Sequence, residues 1–470
     1  AERLLAAPRA PSSGEASMIP FSISLRHRAL VSLGLVLSTS TCTEPPPIAD
    51  SANGDSSQPD AVTSPAATLA CDAGNGGITL PAGFCAIVVA DRVGHARHVT
   101  VRPNGDVYVA LKRAPNGSDN GGILALRDTD GDGKADRRAR FGTIGGTGIA
   151  WYLGALYFAA NDRILRYTIS GTNLAPTSAP VTVVSGLPAT GEHVAKNLTF
   201  GPSSMYVNIA SATNSCQVQN RTLQSPGKDP CPELATRAGV WRFDPSRTGQ
   251  VQRDGRRFAT GLRDMLALAV KPGTETLYGV QHDRDLLGKN WPKVFTMAQD
   301  AKIPSEELVR IAQGDDFGWP YCHHDRVQGK KVLAPEYGGD GKVIGRCSSK
   351  KLPVMTFPAH WAPMSLIFYT KGQFPAKYAG GAFVAFHGDN FTETRPRSDN
   401  PGFHVVFVPF GSSGPTGKYE IFAAGFAGSG PVTSRDAAHR ATGLAQGPDG
   451  SLYITDDKKG RIWRVIYRGQ

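Results

Sequence analysis

The sequence predicts an all-β protein, a six-bladed β-propeller. Three observations predict it. A turn–strand–turn–strand phrase recurs six times along the chain, with intervening loops of very different length. Glycine (54) and proline (34) are abundant and only 19% of residues are charged, which suits many short strands and turns rather than long helices. Removing the N-terminal segment leaves about 400 of the 470 residues, enough for one such ring with insertions.

In chain order, residues 1–42 read as upstream residues and a signal peptide, with Met18 as the expected start. Arg26–Arg28 form a basic n-region, and the apolar run that follows, residues 29–37, has the length of a signal h-region and is too short to span a bilayer. Cys42 follows it, either as the acylated cysteine of a lipoprotein, and so a lipid anchor, or beside a simple cleavage site. Residues 43–69, rich in Pro, Ser, Thr and Ala, read as a disordered tether, and residues 70–470 as the propeller. The phrases begin at Arg102 (RPNGDVYVALKR), Leu153 (LGALYFAANDRILRYTI), Phe200 (FGPSSMYVNIAS), Val270 (VKPGTETLYGVQHD), Ala379 (AGGAFVAFHGDN) and Gly447 (GPDGSLYITDDKKGRIWRVIY). Residues 80–92 and 447–467 are expected to close the ring, since pairing the chain ends removes exposed sheet edges. One helix is predicted, over residues 290–299, as an insertion in the fourth repeat.

The net charge of +11 comes from scattered residues. No Lys/Arg run interleaves with aromatics, so no nucleic-acid partner is expected; an anionic ligand or an acidic redox partner suits the charge. Of seven cysteines, six fall into near neighbours, Cys71/Cys85, Cys216/Cys231 and Cys322/Cys347, which predicts three disulfides and a periplasmic or extracellular location. There is no CxxC and no CxxCH, which argues against thiol redox chemistry and attached c-type haem.

Several residues can carry chemistry. His193 lies on the loop entering the third repeat, and Arg263, beside Asp264, on the loop entering the fourth, where an Arg can grip a carboxylate in two-pronged fashion. QHDRD at 281–285 gathers His282, Asp283, Arg284 and Asp285 at a strand end, as a calcium-binding turn would. DTDGDGKAD at 128–136 places Asp128, Asp130, Asp132 and Asp136 like the first nine positions of a calcium loop, although Ala139 stands where the bidentate Glu belongs. His360, Trp361, His387, His439 and Arg440 sit on loop ends of the last two blades, so several would meet at one channel mouth, a site for a planar anion.

These residues resemble the glucose/sorbosone dehydrogenase family of soluble quinoproteins, six-bladed propellers using pyrroloquinoline quinone (PQQ) and calcium. The resemblance covers roughly residues 80–467 and is carried by GLRD, HDRD, PSEELVRI, GDDFGWPYC, FPAHWAP and HRATGLAQGPDGSLYITDD, the later motifs resembling the sorbosone dehydrogenase branch. It implies that His193 is the general base, although Ala195-Lys196-Asn197 replaces the family's Gly-Gly-Arg. It implies that Arg263 meets a cofactor carboxylate, with Asp264 in place of the usual Asn, and that His387 and Arg440 contact the cofactor. It implies that calcium rests on the backbone carbonyls of Arg284 and Asp285, and that a sugar is oxidised with a cytochrome or quinone as electron acceptor. Two other classes fit a channel with polar loops: a non-redox propeller binding carbohydrate or protein at the cell surface, and a calcium-dependent lactonase. Fold alone does not separate them.

Overall fold

The computed structural model describes residues 69–389, 401–429 and 434–469; the signal segment, Cys42 and nearly all of the tether lie outside them. The recurring phrases become the second and third strands of six antiparallel sheets around one ring. Blade one is Ala96–Val101, Val107–Leu111, Gly122–Arg127 and Arg137–Phe141. Blade two runs from Gly146–Tyr152 to Val181–Ser185, and blade three from Leu198–Phe200 to Arg256–Thr260. Blade four is Asp264–Val270, Leu277–His282, Glu306–Ile311 and Met355–Phe357; blade five runs from Pro363–Phe368 to Glu420–Ala423. Blade six is Ala441–Gln446, Leu452–Asp456 and Ile462–Tyr467, completed on its outer edge by the N-terminal strand Phe84–Ala90.

That seam is the predicted closure. Phe84 pairs with Tyr467 and Ala86 with Val465, so first and last strands share one ladder. Side chains reinforce it: the Phe84 ring meets Phe374, Phe422 and Tyr378 edge-on at 4.8, 5.1 and 5.5 Å, each such pair adding roughly 0.5–1.5 kcal/mol beyond its burial. The apolar side chains of neighbouring blades face each other and form the core clusters, which is why both faces of most strands are buried.

The three predicted disulfides are present, Cys71–Cys85, Cys216–Cys231 and Cys322–Cys347. The first fastens the segment before the seam strand. The second closes the long loop between the second and third strands of blade three. The third staples an insertion of blade four, residues 312–354, whose Asp315–Asp316 strand climbs in parallel along Arg256–Thr260 of blade three.

The predicted helix over 290–299 is corrected to two single turns, Leu287–Asn290 and Met297–Asp300. Pro292 explains the break: the residue before a proline is barred from helical geometry, and Trp291 sits at φ −132°, ψ 57°. The second turn restarts at Thr296, whose side chain accepts from the Gln299 amide while the Gln299 side chain accepts from the Thr296 amide.

Candidate active site

In each blade the first strand is entered, and the second and third strands are joined, at the same end of the ring. His193, Arg263, the 282–285 turn, His360, His387 and Asp457 all lie on such connections. Two adjoining cavities, of about 380 and 320 Å³, open at this mouth and share His193, Asp264 and His282 as a common wall.

His193 is held in one tautomer. Its Nδ1 lies 3.0 Å from the Ser211 carbonyl oxygen and 3.0 Å from Ser211 Oγ. Oγ itself donates to the Thr213 carbonyl at 2.7 Å, so both partners of Nδ1 are acceptors and Nδ1 carries the hydrogen. Nε2 is left with its lone pair, 3.9 Å from Glu192 Oε2, on the cavity wall. Burial first, then the Arg263 guanidinium, push His193 well below the usual imidazole range, so it is neutral at ambient pH.

Arg263 is buried and built into a polar frame. It donates from Nε to the Asn214 carbonyl at 3.2 Å, and from Nη2 to Asn214 Oδ1 at 3.0 Å and to Asp285 Oδ2 at 3.2 Å. The chain reaches this position through Gly261, which adopts φ +73°; a Cβ there would fall 2.4 Å from the Gly318 amide nitrogen, so the GLR turn needs glycine.

The 283–285 turn divides its side chains. Asp285 faces Arg263, Arg221 at 3.1 Å and His360 at 3.5 Å. Burial alone would raise its carboxyl; these cations hold it well below the carboxylate range. Arg284 points away into the blade-four insertion, where Glu336 takes both guanidinium nitrogens and also accepts from Trp291 Nε1 at 2.9 Å. Both side chains are thus engaged in ion pairs, and the residues of this turn that could hold a metal are the expected Arg284 and Asp285 backbone carbonyls together with Asp283. The Asp285 carbonyl also accepts from Asn214 Nδ2 at 2.9 Å. Asp283 is pushed up to about 7 by burial and by Glu307, and Glu306 up to about 8 by burial.

The late loops are only partly as predicted. His387 faces the cavity with Nε2 2.6 Å from Asp457, which also receives Arg97 at 2.6 Å. Arg440 stands behind that wall: its Nε and Nη2 donate to the His387 and Gly388 carbonyls, each at 2.8 Å, so it braces the turn. Trp361 is a core residue between blades four and five, 1% exposed against Phe386, and does not line the cavities. The 128–136 loop lies on the turn joining the third and fourth strands of blade one, at the opposite end of the ring. Carboxylate oxygens of Asp128, Asp130 and Asp136 approach within 4.8 Å of one another there, but Asp132 is outside the group, accepting from the Lys134 amide.

Sequence reasoning missed Asn214, Arg221, Glu192 and Glu306; His282, read with the 283–285 turn, does stand on the cavity wall. Only Glu306 left a signal: Glu306-Glu307 opens a strand whose other residues, apart from the exposed Arg310, are buried and apolar.

The donor set fits a planar polyanion and a dication. Lys112 and Arg113 reach the smaller cavity, and burial, then Arg97, pulls the Lys112 ammonium below its usual value against the opposing pull of Asp457. Asp264 Oδ1 and Asp283 Oδ2 are buried oxygens without hydrogen-bond partners, free to meet a cation.

The TrAA12-like family model matches residues 78–468. The chain belongs to this family. Among solved structures, the TrAA12-like chain is similar to a Family AA12 carbohydrate-active enzyme from Trichoderma reesei, with 19% identity, TM-score 0.67, and 85% of this chain and 100% of that one covered. It is also similar to the holo form of the PQQ domain of a pyranose dehydrogenase from Coprinopsis cinerea, with 16% identity, TM-score 0.65, and coverage of 83% and 97%. An uncharacterized protein of Borreliella burgdorferi is 28% identical over 211 residues, 44% of this chain; the match spans about half of that curated relative, 48% of its length.

Proposed function

We propose that this TrAA12-like chain is a PQQ-dependent oxidoreductase acting on a hydroxyl or hemiacetal carbon of a sugar, with His193 as general base. The observation that carries the reading is the fixed tautomer: Nδ1 bound to two acceptors of Ser211, Nε2 bare and facing the cavity. Bound PQQ supplies the hydride acceptor, and bound calcium polarises it. His193 Nε2 takes the hydroxyl proton as hydride leaves the same carbon and the C=O bond forms. Its ring stays aligned because Ser211 holds Nδ1. Arg97, Lys112 and Arg113 of blade one, and Arg263 at the entry to blade four, would meet the cofactor carboxylates, and Asp283, Asp264 and the Arg284 and Asp285 carbonyls would hold the dication. The PQQ-bound pyranose dehydrogenase domain among the structural neighbours supports the reading, and the late-blade motifs support a sorbosone-like aldose as substrate.

The proposal includes export. Three disulfides favour the periplasm or the outside of the cell, where a cytochrome or quinone would reoxidise the cofactor. Cys42 is the candidate lipid anchor. The test is dye reduction by the apo protein loaded with PQQ and calcium, with aldoses and sorbosone as substrates. His193→Asn is expected to lower turnover by roughly 10²–10⁴ with PQQ affinity little changed. Lactone hydrolysis that needs calcium and no PQQ would replace this reading with the lactonase, and binding of carbohydrate without turnover would replace it with the surface propeller.

A further inference from the structure

The loop closed by Cys216–Cys231 carries three non-glycine residues in left-handed geometry, Cys216 (φ 54°), Arg221 (φ 56°) and Gln224 (φ 52°). Such backbone persists only where its surroundings over-determine it, and strain of this kind gathers at functional positions. Arg221 is fixed on every side. Its amide donates to Gln217 Oε1 at 2.9 Å, and its guanidinium forks onto Glu192 at 2.7 and 2.8 Å and reaches Asp285 at 3.1 Å. Asn220, one residue before, donates to the same Glu192 oxygen at 2.5 Å. Glu192 is the neighbour of His193, with a carboxylate oxygen 3.9 Å from the imidazole's unprotonated Nε2.

We infer that Arg221 is a positioning residue that sets the basicity of His193 by pairing with Glu192, so that the disulfide-closed loop tunes the base from above. The inference rests on the proposed role of His193. Glu192 is ionised: burial would raise it, but Arg221 and Asn220 hold it low. An unpaired carboxylate at that distance would stabilise the imidazolium and make His193 a stronger base. With Arg221 forked onto it, the pair is nearly neutral and His193 stays unprotonated. The other charged groups facing His193 are Arg263, which disfavours the imidazolium, and Asp285, which favours it. Asp264 and His282 stand on the shared wall, and Arg97, Lys112, Arg113 and His387 line the smaller cavity. None of these bonds Glu192, so the Arg221 contact is the adjustable one.

The test reads His193 directly in the apo protein, as the rate of diethyl pyrocarbonate modification of its peptide against pH. The acid limb of kcat/KM of the PQQ-loaded enzyme is read in parallel. Arg221→Gln is expected to move both midpoints up by about one pH unit, and Glu192→Gln, which removes the carboxylate and keeps the loop cation, to move them down. Arg221→Lys, which keeps the charge and loses the fork, should recover at least half of the Arg221→Gln shift. Midpoints of both Gln variants within 0.2 units of the wild type, or a downward shift for Arg221→Gln, would overturn the inference. An inactive wild type whose His193 midpoint still responds would overturn the proposed function and leave the tuning by Arg221 standing.

Discussion

Asn214→Ala tests the frame around Arg263 most directly. The Asn214 side chain makes three hydrogen bonds: Oδ1 accepts from Arg263 Nη2 at 3.0 Å and from the Asp285 amide at 2.9 Å, and Nδ2 donates to the Asp285 carbonyl at 2.9 Å. Alanine removes all three but keeps the backbone carbonyl that receives Arg263 Nε and Trp319 Nε1. Two neutral bonds at about 1 kcal/mol each and one charge-assisted bond at about 1.5–3 give roughly 3.5–5 kcal/mol. Arg263 Nη2 keeps Asp285, and the Asp285 side chain is 33% exposed, so water replaces part of the loss; about 2–3 kcal/mol is expected to remain. If Arg263 grips a cofactor carboxylate, PQQ affinity measured calorimetrically falls by roughly 30- to 150-fold. Hydrogen exchange followed by mass spectrometry should show the peptide containing the Asp285 amide losing protection, with the seam strand Phe84–Ala90 unchanged. PQQ affinity within threefold of the wild type, together with unchanged exchange at Asp285, would refute the idea that Asn214 preorganises the turn.

Arg284→Met leaves the Glu336 carboxylate buried with only Trp291 and Ser215 as donors and should cost about 3–5 kcal/mol in denaturant unfolding, while Arg284→Met with Glu336→Leu should recover most of it. Burial, with Arg97 adding, pushes His98 down to about 4, so its contribution is present above pH 6.5 and is lost as pH falls toward 4; the thermal midpoint should decline through that window, and His98→Gln, removing roughly 3 kcal/mol of it, should flatten the decline. Replacing Cys216 and Cys231 with Ser opens a loop of sequence separation 15 and should lower stability by about 3 kcal/mol, with faster proteolysis inside residues 217–230 as its mark.

The ring was legible because its signal is local. Each phrase holds the second and third strands of one blade, and in blades one and six a Pro-Asn-Gly or Pro-Asp-Gly turn marks where the first strand hands over to the second. The placement of His193 and Arg263 at the mouth was legible for the same reason, since His193 stands a few residues before blade three and Arg263 directly before blade four. The helix over 290–299 failed because Pro292, near which it was expected to begin, instead bars Trp291 from helical geometry and parts two single turns. Trp361 was misread because an aromatic beside a histidine on a loop looks the same whether it lines a cavity or fills the gap between blades. Asn214 and Arg221 had no signal at all. They belong to a loop of blade three, and their roles exist only once that loop is folded over the 285 turn, a contact between residues 64 to 71 apart in sequence.

The seam has a consequence for biosynthesis. Arg97 and Asp457, whose ion pair at 2.6 Å stands beside the site, are separated by 360 residues and meet only when the last blade receives the first strand. Strand Phe84–Ala90 leaves the ribosome first and has no sheet to join until residue 467 has been made. Until then it is an unpaired edge with Phe84 uncovered, a hazard for aggregation. Without the Ile462–Tyr467 strand the ring is an open arc, with neither a sealed seam nor a finished mouth. Pairing of the first strand with the last is, for this protein, the event that assembles the site.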